Sequence, residues 1–424
     1  MSYVSLSSRF LLCLIVSHLA SPWIEQPLSA GDSVWPQWRG PSRDGQVEAA
    51  AWPSSLDENH LKELWRIPLG PSYSGPIVTE NAVYVTETRD ANREVVTALS
   101  RISGEKLWQA DWDGALSVPF FAKANGDWIR STPAFSDGHL YVGGMRDVLV
   151  CLDASDGHEV WRVDFPLAFK SPLPSFGFVC SPLVDGEAVY VQAGAGVVKL
   201  NKRDGSLIWK GLADKGGMFN SAFSSPVIAE ICGERQLVVQ SRVKLAGLSL
   251  EDGSVLWSVD VPAFRGMNIL TPTVLADTIF TSSYGGGSFQ FRLSRANERI
   301  EVTEVWKNEA QGYMSSPVVI DGTVYVHLRN QRLTAINPES GERYWTSRPF
   351  GKYWSMVANG SQLLALDERG DLLLIDAQRD RFELIASRHI SDDPTWAHLA
   401  IAGDQIFVRT LNAAVAYQWR AAAE

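Results

Sequence analysis

Cysteine is scarce in this chain: four in 424 residues, none adjacent to another and none in a Cys-x-x-Cys pair. That excludes a thiolate metal site and an attached haem. Cys13 lies within an apolar run near the start, leaving Cys151, Cys180 and Cys232 as an odd set. Histidine is also sparse. His327, His389 and His398 lack partners at metal-ligand spacing, and His139 and His158 fall in turns. Apolar runs long enough to cross a bilayer are absent, since Phe10–Val16 is too short. Clusters of Lys and Arg are missing too. With a net charge of −10, the composition argues against nucleic acid and anionic membranes as partners. No low-complexity linker or second domain interrupts the chain.

What is abundant is repetition. Five segments share one frame, a short apolar stretch closed by Gly, three residues and Trp. Examples are Cys151-Leu-Asp-Ala-Ser-Asp-Gly157-His-Glu-Val-Trp161 and Gly247-Leu-Ser-Leu-Glu-Asp-Gly253-Ser-Val-Leu-Trp257. Cys151 stands where the frame has Ala. Between successive frames comes a small residue pair followed by Pro, as in Ser131-Thr132-Pro133, Cys180-Ser181-Pro182 and Ser315-Ser316-Pro317. Both cysteines therefore read as small buried side chains, and a Cys151–Cys180 bridge between neighbouring repeats stays open. An apolar run follows each Pro, then a turn such as Asp137-Gly138 or Asp321-Gly322, then a second strand such as Val189-Tyr190-Val191. Asp-Gly between apolar runs is a strong hairpin signal, because tight hairpins need positive φ. Each repeat predicts a four-stranded antiparallel meander.

Counting sets the assembly. The frame's final position is held by Trp65, Trp108, Trp161, Trp209, Trp257, Trp306 and Trp345, with Leu384 as a degenerate eighth. These rings are expected to pack structurally between blades. A lone fourth strand at Leu64–Pro68 complements three strands at Ala397–Trp419. The reading is an all-β, eight-bladed β-propeller of four-stranded antiparallel blades, its ring closed by the N-terminal strand joining the C-terminal blade. Residues 1–30, with Arg9 ahead of Phe10–Val16, have the form of a signal peptide. The expected division is signal peptide 1–30, N-terminal strap 31–60 and propeller 61–420.

The frame, the preceding Ser-x-Pro and the strand ending in Tyr-Val together resemble the pyrroloquinoline-quinone (PQQ)-like repeat. That repeat occurs in quinoprotein alcohol dehydrogenases and in the outer-membrane assembly factor BamB. The opening Trp35-Pro-Gln-Trp38-Arg39-Gly40-Pro-Ser-Arg-Asp44-Gly45 resembles the N-terminal strap of secreted bacterial propellers of this type. For a dehydrogenase, the resemblance implies a quinone held between a Trp and paired cysteines, a calcium ion on Glu, Asn and Asp, and an Asp base. This chain has no adjacent cysteines, no calcium triad in its usual context and few pocket-building insertions. No cofactor is expected, with PQQ and calcium kept as the alternative. For BamB, a lipoprotein, the resemblance implies a docking surface, although Cys13 sits inside the apolar run rather than after it.

A site is expected on the face where each outer strand passes to the next inner strand. The long loop 112–131 offers Trp128 and Arg130, and the loop 165–180 offers Lys170 and Phe178. Shorter ones offer Tyr73, Phe219, Arg265, Asn268, Tyr313, Lys352, Trp354 and Trp396. Aromatics interleaved with Arg and Lys suit an anionic small molecule, a sugar or a peptide segment. Alternatively, the rings plug the channel. Tyr284-Gly-Gly-Gly287 reads as a hairpin turn rather than a phosphate loop, and Arg39 and Asp44 as tethers of the strap. The expectation is an exported, periplasmic or secreted, monomeric propeller without catalysis or metal, binding a protein segment or small polar ligand. A PQQ- and calcium-dependent oxidoreductase is the first alternative, a carbohydrate-binding protein the second.

Overall fold

Short strands and tight turns arrange the chain into eight four-stranded antiparallel sheets set around a ring. The computed structural model describes residues 1, 34–214 and 221–420. The expected signal peptide lies outside the described residues. Blades 1 to 7 span residues 77–113, 134–164, 183–211, 227–260, 273–308, 318–349 and 354–389. The eighth blade joins residues 400–419 to strand Leu61–Pro68, which pairs antiparallel with Ala413–Trp419. First and second strands meet in hairpins whose central residues have positive φ, such as Asp137 (47°) with Gly138 (76°) and Asp321 (46°) with Gly322 (70°). That twist matches the flanking strands.

Within each blade the outer strand bulges next to its Trp. Trp108 faces Ala98, Trp161 faces Cys151 and Trp209 faces Lys199, and the register slips at the following residue. The bulge turns the ring out of its own sheet and onto the next blade. There the indole N–H donates to a carbonyl of the neighbour's frame. Trp65 reaches Arg101 O, Trp108 Ala154 O, Trp161 Lys202 O, Trp209 Leu250 O and Trp306 Pro338 O. The ring face lies on the neighbour's frame glycine. A Cβ on Gly253 would stand 2.5 Å from the Trp209 ring, and one on Gly157 would stand 2.4 Å from Trp108.

Two irregular blades support this account. Blade 5 replaces the frame with the long hairpin Gly287–Ala296 and Arg299–Asn308, so it offers no receiving glycine. Trp257 of blade 4 accordingly bonds Gln236 of its own blade. Blade 8 is assembled from both ends of the described chain and also lacks the frame. The outer strand facing it, in blade 7, carries Leu384 in place of Trp. The apolar core lies mainly between blades. One cluster joins Ile77, Tyr84 and Val96 of blade 1 to Leu140, Val150 and Leu152 of blade 2. Cys151 and Cys180 are both free thiols. Cys180 accepts from Gln192 N at 3.2 Å, filling the place of a serine.

The frame glycine and a hairpin glycine therefore differ in what surrounds them. Gly253 (φ 72°) has the Trp209 ring against it, whereas Gly233 (φ 73°) has nothing within 4 Å. Gly233→Ala should cost about 1–2 kcal/mol, the backbone penalty alone. Gly253→Ala adds overpacking and should cost about 2–4 kcal/mol. Urea denaturation of the two variants tests this, and equal midpoints would contradict the docking role.

Candidate binding site

The residues ahead of each blade's first strand follow one pattern, and it builds the axial cavity. Counting back from the Pro position, the residue one before it is small and polar in most blades. These are Thr132, Ser181, Ser225, Thr271, Ser316 and Ser355, and they line the cavity with His398 of blade 8. Their hydroxyls tie neighbouring blades together. Gly75 N donates to Thr132 Oγ1 at 2.9 Å, Ser181 N to Ser225 Oγ at 2.9 Å, and Thr271 N to Ser316 Oγ at 3.1 Å. Two residues earlier the side chain points the same way, since strand side chains alternate. Those positions hold Tyr73, Arg130, Val179, Phe223, Ile269, Met314 and Trp396, which form the walls.

Above the floor the aromatic side chains touch in sequence around the mouth. Tyr73 stacks on Trp396 (4.6 Å between centroids, 16°), and Trp396 meets Tyr353 edge-on at 4.2 Å. Tyr353 meets Tyr313 at 5.9 Å, Tyr313 meets Tyr284 at 5.3 Å, and Tyr284 meets Phe264 at 5.0 Å. On the other side Phe121 packs near Phe176, and Phe176 on Phe223 at 5.6 Å. Each of the eight inter-blade connections supplies a ring. The cavity they enclose has a volume of about 460 Å³.

Guanidinium groups sit on this collar. Arg130 lies 5.9 Å from the Tyr73 centroid, Arg265 lies 5.0 Å from Phe264 and 6.0 Å from Phe121, and Arg329 lies 4.2 Å from Tyr284. Arg130 is held by carbonyls, with Nε donating to Trp128 O at 3.2 Å and Nη2 to Gly126 O at 3.1 Å. Burial lowers its pKa from 12.5 to about 10. No Asp or Glu lines the cavity among the described residues.

The strap closes the channel from the opposite face. Trp35 bridges to Val78 of blade 1, and Gln46 to Ala358 of blade 7. Between them Arg43 donates to Pro226 O (3.1 Å), Pro182 O (2.7 Å) and Ser181 O (3.0 Å), and Arg39 donates to Pro317 O. Both arginines are buried, and both stack on Trp38, which lines the cavity beside His398. The innermost strands present an unpaired edge to the axis, and proline removes the donor there while leaving the acceptor. A guanidinium, which only donates, matches that edge. Burial lowers Arg39 to about 10 and Arg43 to about 9.

Of the residues named from sequence, Tyr73, Arg130, Arg265, Tyr313, Trp354 and Trp396 all line this one cavity. Trp354 is 4% exposed and stacks on His327, so it serves as wall rather than rim. Trp128 backs Tyr73 from behind, at 5.3 Å. Phe178 is buried in the core between blades 2 and 3, where Gly143 leaves room for its ring. Asn268 is also buried, and its amide ties the loop to Arg242 O and Val261 O. Lys170 and Lys352 are exposed outside the cavity lining. Phe219 lies outside the described residues. Sequence reasoning passed over Phe223, which sits three before Pro226 as Tyr73 sits three before Pro76. It also read Tyr284 only as part of a turn and Trp38 only as strap.

A calcium ion takes several oxygen ligands, usually including carboxylates. The lining residues offer hydroxyls, rings and guanidiniums instead, so they do not fit a calcium-bound quinone.

A family model described as outer membrane protein assembly factor BamB matches residues 92–347. The BamB of Yersinia pestis is 20% identical over 332 residues, covering 76% of this chain and 79% of that protein. The BamB of Escherichia coli is 26% identical over 263 residues, 57% of this chain and 62% of that protein. Among solved structures, BamB from Moraxella catarrhalis aligns with a TM-score of 0.62 at 14% identity, over 86% of this chain and 99% of that one. Quinohemoprotein alcohol dehydrogenase from Comamonas testosteroni aligns with a TM-score of 0.67 at 13% identity, over 93% and 82%. These structural likenesses describe the fold alone.

The floor carries a pH dependence. Burial and the Arg39 charge hold His398 down at about 3, against an ordinary 6.5, and burial holds His327 at about 3. An unfolded histidine takes up its proton on acidification before these two do, so their contribution is full above about pH 6.5 and is lost towards pH 3. Buried Glu94 and Asp147 are instead raised to about 7 and about 6, an effect of opposite sign. Comparing wild type with His398→Gln cancels that background. The variant's Tm should fall less between pH 7 and pH 4, and parallel curves would contradict the placement of His398.

Proposed function

The chain belongs to the BamB family of PQQ-like-repeat propellers, and we propose that it is an exported, non-catalytic, monomeric propeller that binds a segment of a protein partner on its loop-bearing face. By analogy with the relatives' name, the partner is drawn from outer-membrane protein assembly. The observation that carries this reading is the cavity lining, with rings from seven of the eight connections and guanidiniums over them but no carboxylate among the described residues. A hydrolytic or dehydrogenase site needs a base or a metal ligand at the reacting atom. The described lining residues include no carboxylate, and burial beside Arg39 holds the one histidine among them, His398, at a pKa of about 3, which makes it a weak base.

The apolar surface also continues past the cavity. Phe120 is 85% exposed and Phe121 50%, and their rings meet edge-on at 5.6 Å. Contiguous exposed apolar side chains of this kind mark interaction surfaces.

Photo-crosslinking in the native host tests the reading. A photoreactive side chain at position 121 or 396 should yield discrete protein adducts identifiable by mass spectrometry. The same group at Gly322, in a hairpin on the opposite face with nothing within 4 Å, should yield none. Adducts from position 322 alone would overturn the assignment of the face. Stoichiometric PQQ and calcium uptake with dye-linked turnover would overturn the non-catalytic reading.

A further inference from the structure

Three regions compete for a further role: the strap's buried arginines, the buried carboxylates between blades, and the charge within the axial cavity. The first two are held inside the fold. Arg43 donates to three axial carbonyls and to Gln37 Oε1, and Arg39 donates to Pro317 O and Asp44 O, leaving its buried Nε without a partner among the described residues. Glu94 accepts from Met145 N at 2.7 Å and Trp112 Nε1 at 2.8 Å, and Asp147 accepts from Gly194 N at 2.9 Å. The cavity is different.

The whole chain carries a net charge of −10, yet its cavity inverts that sign. Arg130 and Arg265 line it, Arg39 and Arg43 lie under Trp38 at its floor, and no carboxylate lines it among the described residues. Arg130 is fixed by two carbonyls rather than by a counter-ion, with Nη1 making no hydrogen bond among the described residues. A largely desolvated cation on which Asp127 acts only through space, with no ion pair among the described residues, gains from an anion in direct contact. A planar, always-charged group already held in place is also the side chain suited to gripping a carboxylate. Around it, Tyr73, Trp396 and Phe121 provide apolar walls that lead outward to exposed Phe120, whose ring meets that of Phe121 edge-on at 5.6 Å. That apolar path extends beyond the cavity, further than a small acid would cover, and it fits an extended chain.

We infer that the axial cavity receives an acidic protein segment, with an Asp or Glu carboxylate entering between the walls to meet Arg130 and Arg265 and a neighbouring aromatic residue packing on the collar. This rests on the protein-binding reading and adds the chemistry of the partner. It also gives the binding a salt dependence, since exposed Arg265 and the segment's carboxylate are solvated before contact.

The test is a selection of displayed random 12-residue peptides on the full-length protein, followed by titration of synthetic winners by tryptophan fluorescence. Enriched peptides should carry Asp or Glu within two residues of Phe, Tyr or Trp. Changing that acid to its amide should weaken binding at least tenfold. Arg130→Gln and Arg265→Gln should each weaken the acidic peptide about tenfold while leaving the amide peptide within about twofold. Arg130→Lys, which keeps the charge but not the planar fork, should bind the acidic peptide more tightly than Arg130→Gln and less tightly than wild type, and so separates charge from misfolding. A neutral or basic consensus, or equal affinity for acid and amide, would overturn the inference while leaving loop-face binding intact. Binding indifferent to both arginine variants would do the same. Absence of any enriched peptide would overturn it too, and the crosslinks from positions 121 and 396 then decide whether the broader reading survives.

Discussion

The structure depends on one repeated contact, a tryptophan of one blade lying on a glycine of the next while its indole N–H bonds a carbonyl beside that glycine. The contact is both apolar and directional. A ring of this size buries on the order of 150–250 Å², and its hydrogen bond sets the rotation between blades. Glycine is required on the receiving side because a Cβ would enter the ring, and because the frame turn has positive φ, as at Gly157 (80°) and Gly253 (72°). The departures follow the same rule. Where blade 5 has no receiving turn, Trp257 turns to Gln236, and opposite the composite blade 8 the tryptophan gives way to Leu384.

Because the blades are locked at their outer edges, their inner edges are left to face one another across a channel. The unpaired backbone acceptors there are covered by the strap's two arginines, which span blades 3, 4 and 6. The strap thereby turns an open channel into a cavity with a floor, and Trp38 forms part of that floor. The cavity is then open only at the opposite face, where the inter-blade connections meet. Scaffold and candidate site are separated: glycine and tryptophan frames on one face fix the ring, and the connections on the other shape the cavity mouth.

Much of the site was legible once the repeat was aligned. The position three before Pro gives Tyr73, Arg130 and Phe223 directly, and period-two alternation puts these residues on the same face as Thr132 and Ser225. Within a connection, sequence order does not separate buried positions from exposed ones. Phe178 and Asn268 belong to connections, yet one fills the space beside Gly143 and the other anchors its loop to backbone carbonyls. Lys170 caps the short helix Phe165–Phe169 in the left-handed conformation (φ 52°) and lies exposed, outside the cavity lining. Loop residues carry no periodicity, so nothing in their order separates an anchor from a rim.

The sequence by itself determined the number of blades, their four-stranded form and the turn types, because these follow from local periodicity and from backbone angles only glycine and a few residues tolerate. Only the tertiary structure decided that Arg39 and Arg43 would plug the channel and that Trp38 would become a floor. Those contacts join positions as far apart as 39 and 317, and the carbonyls they satisfy exist as unpaired acceptors only after the ring has closed.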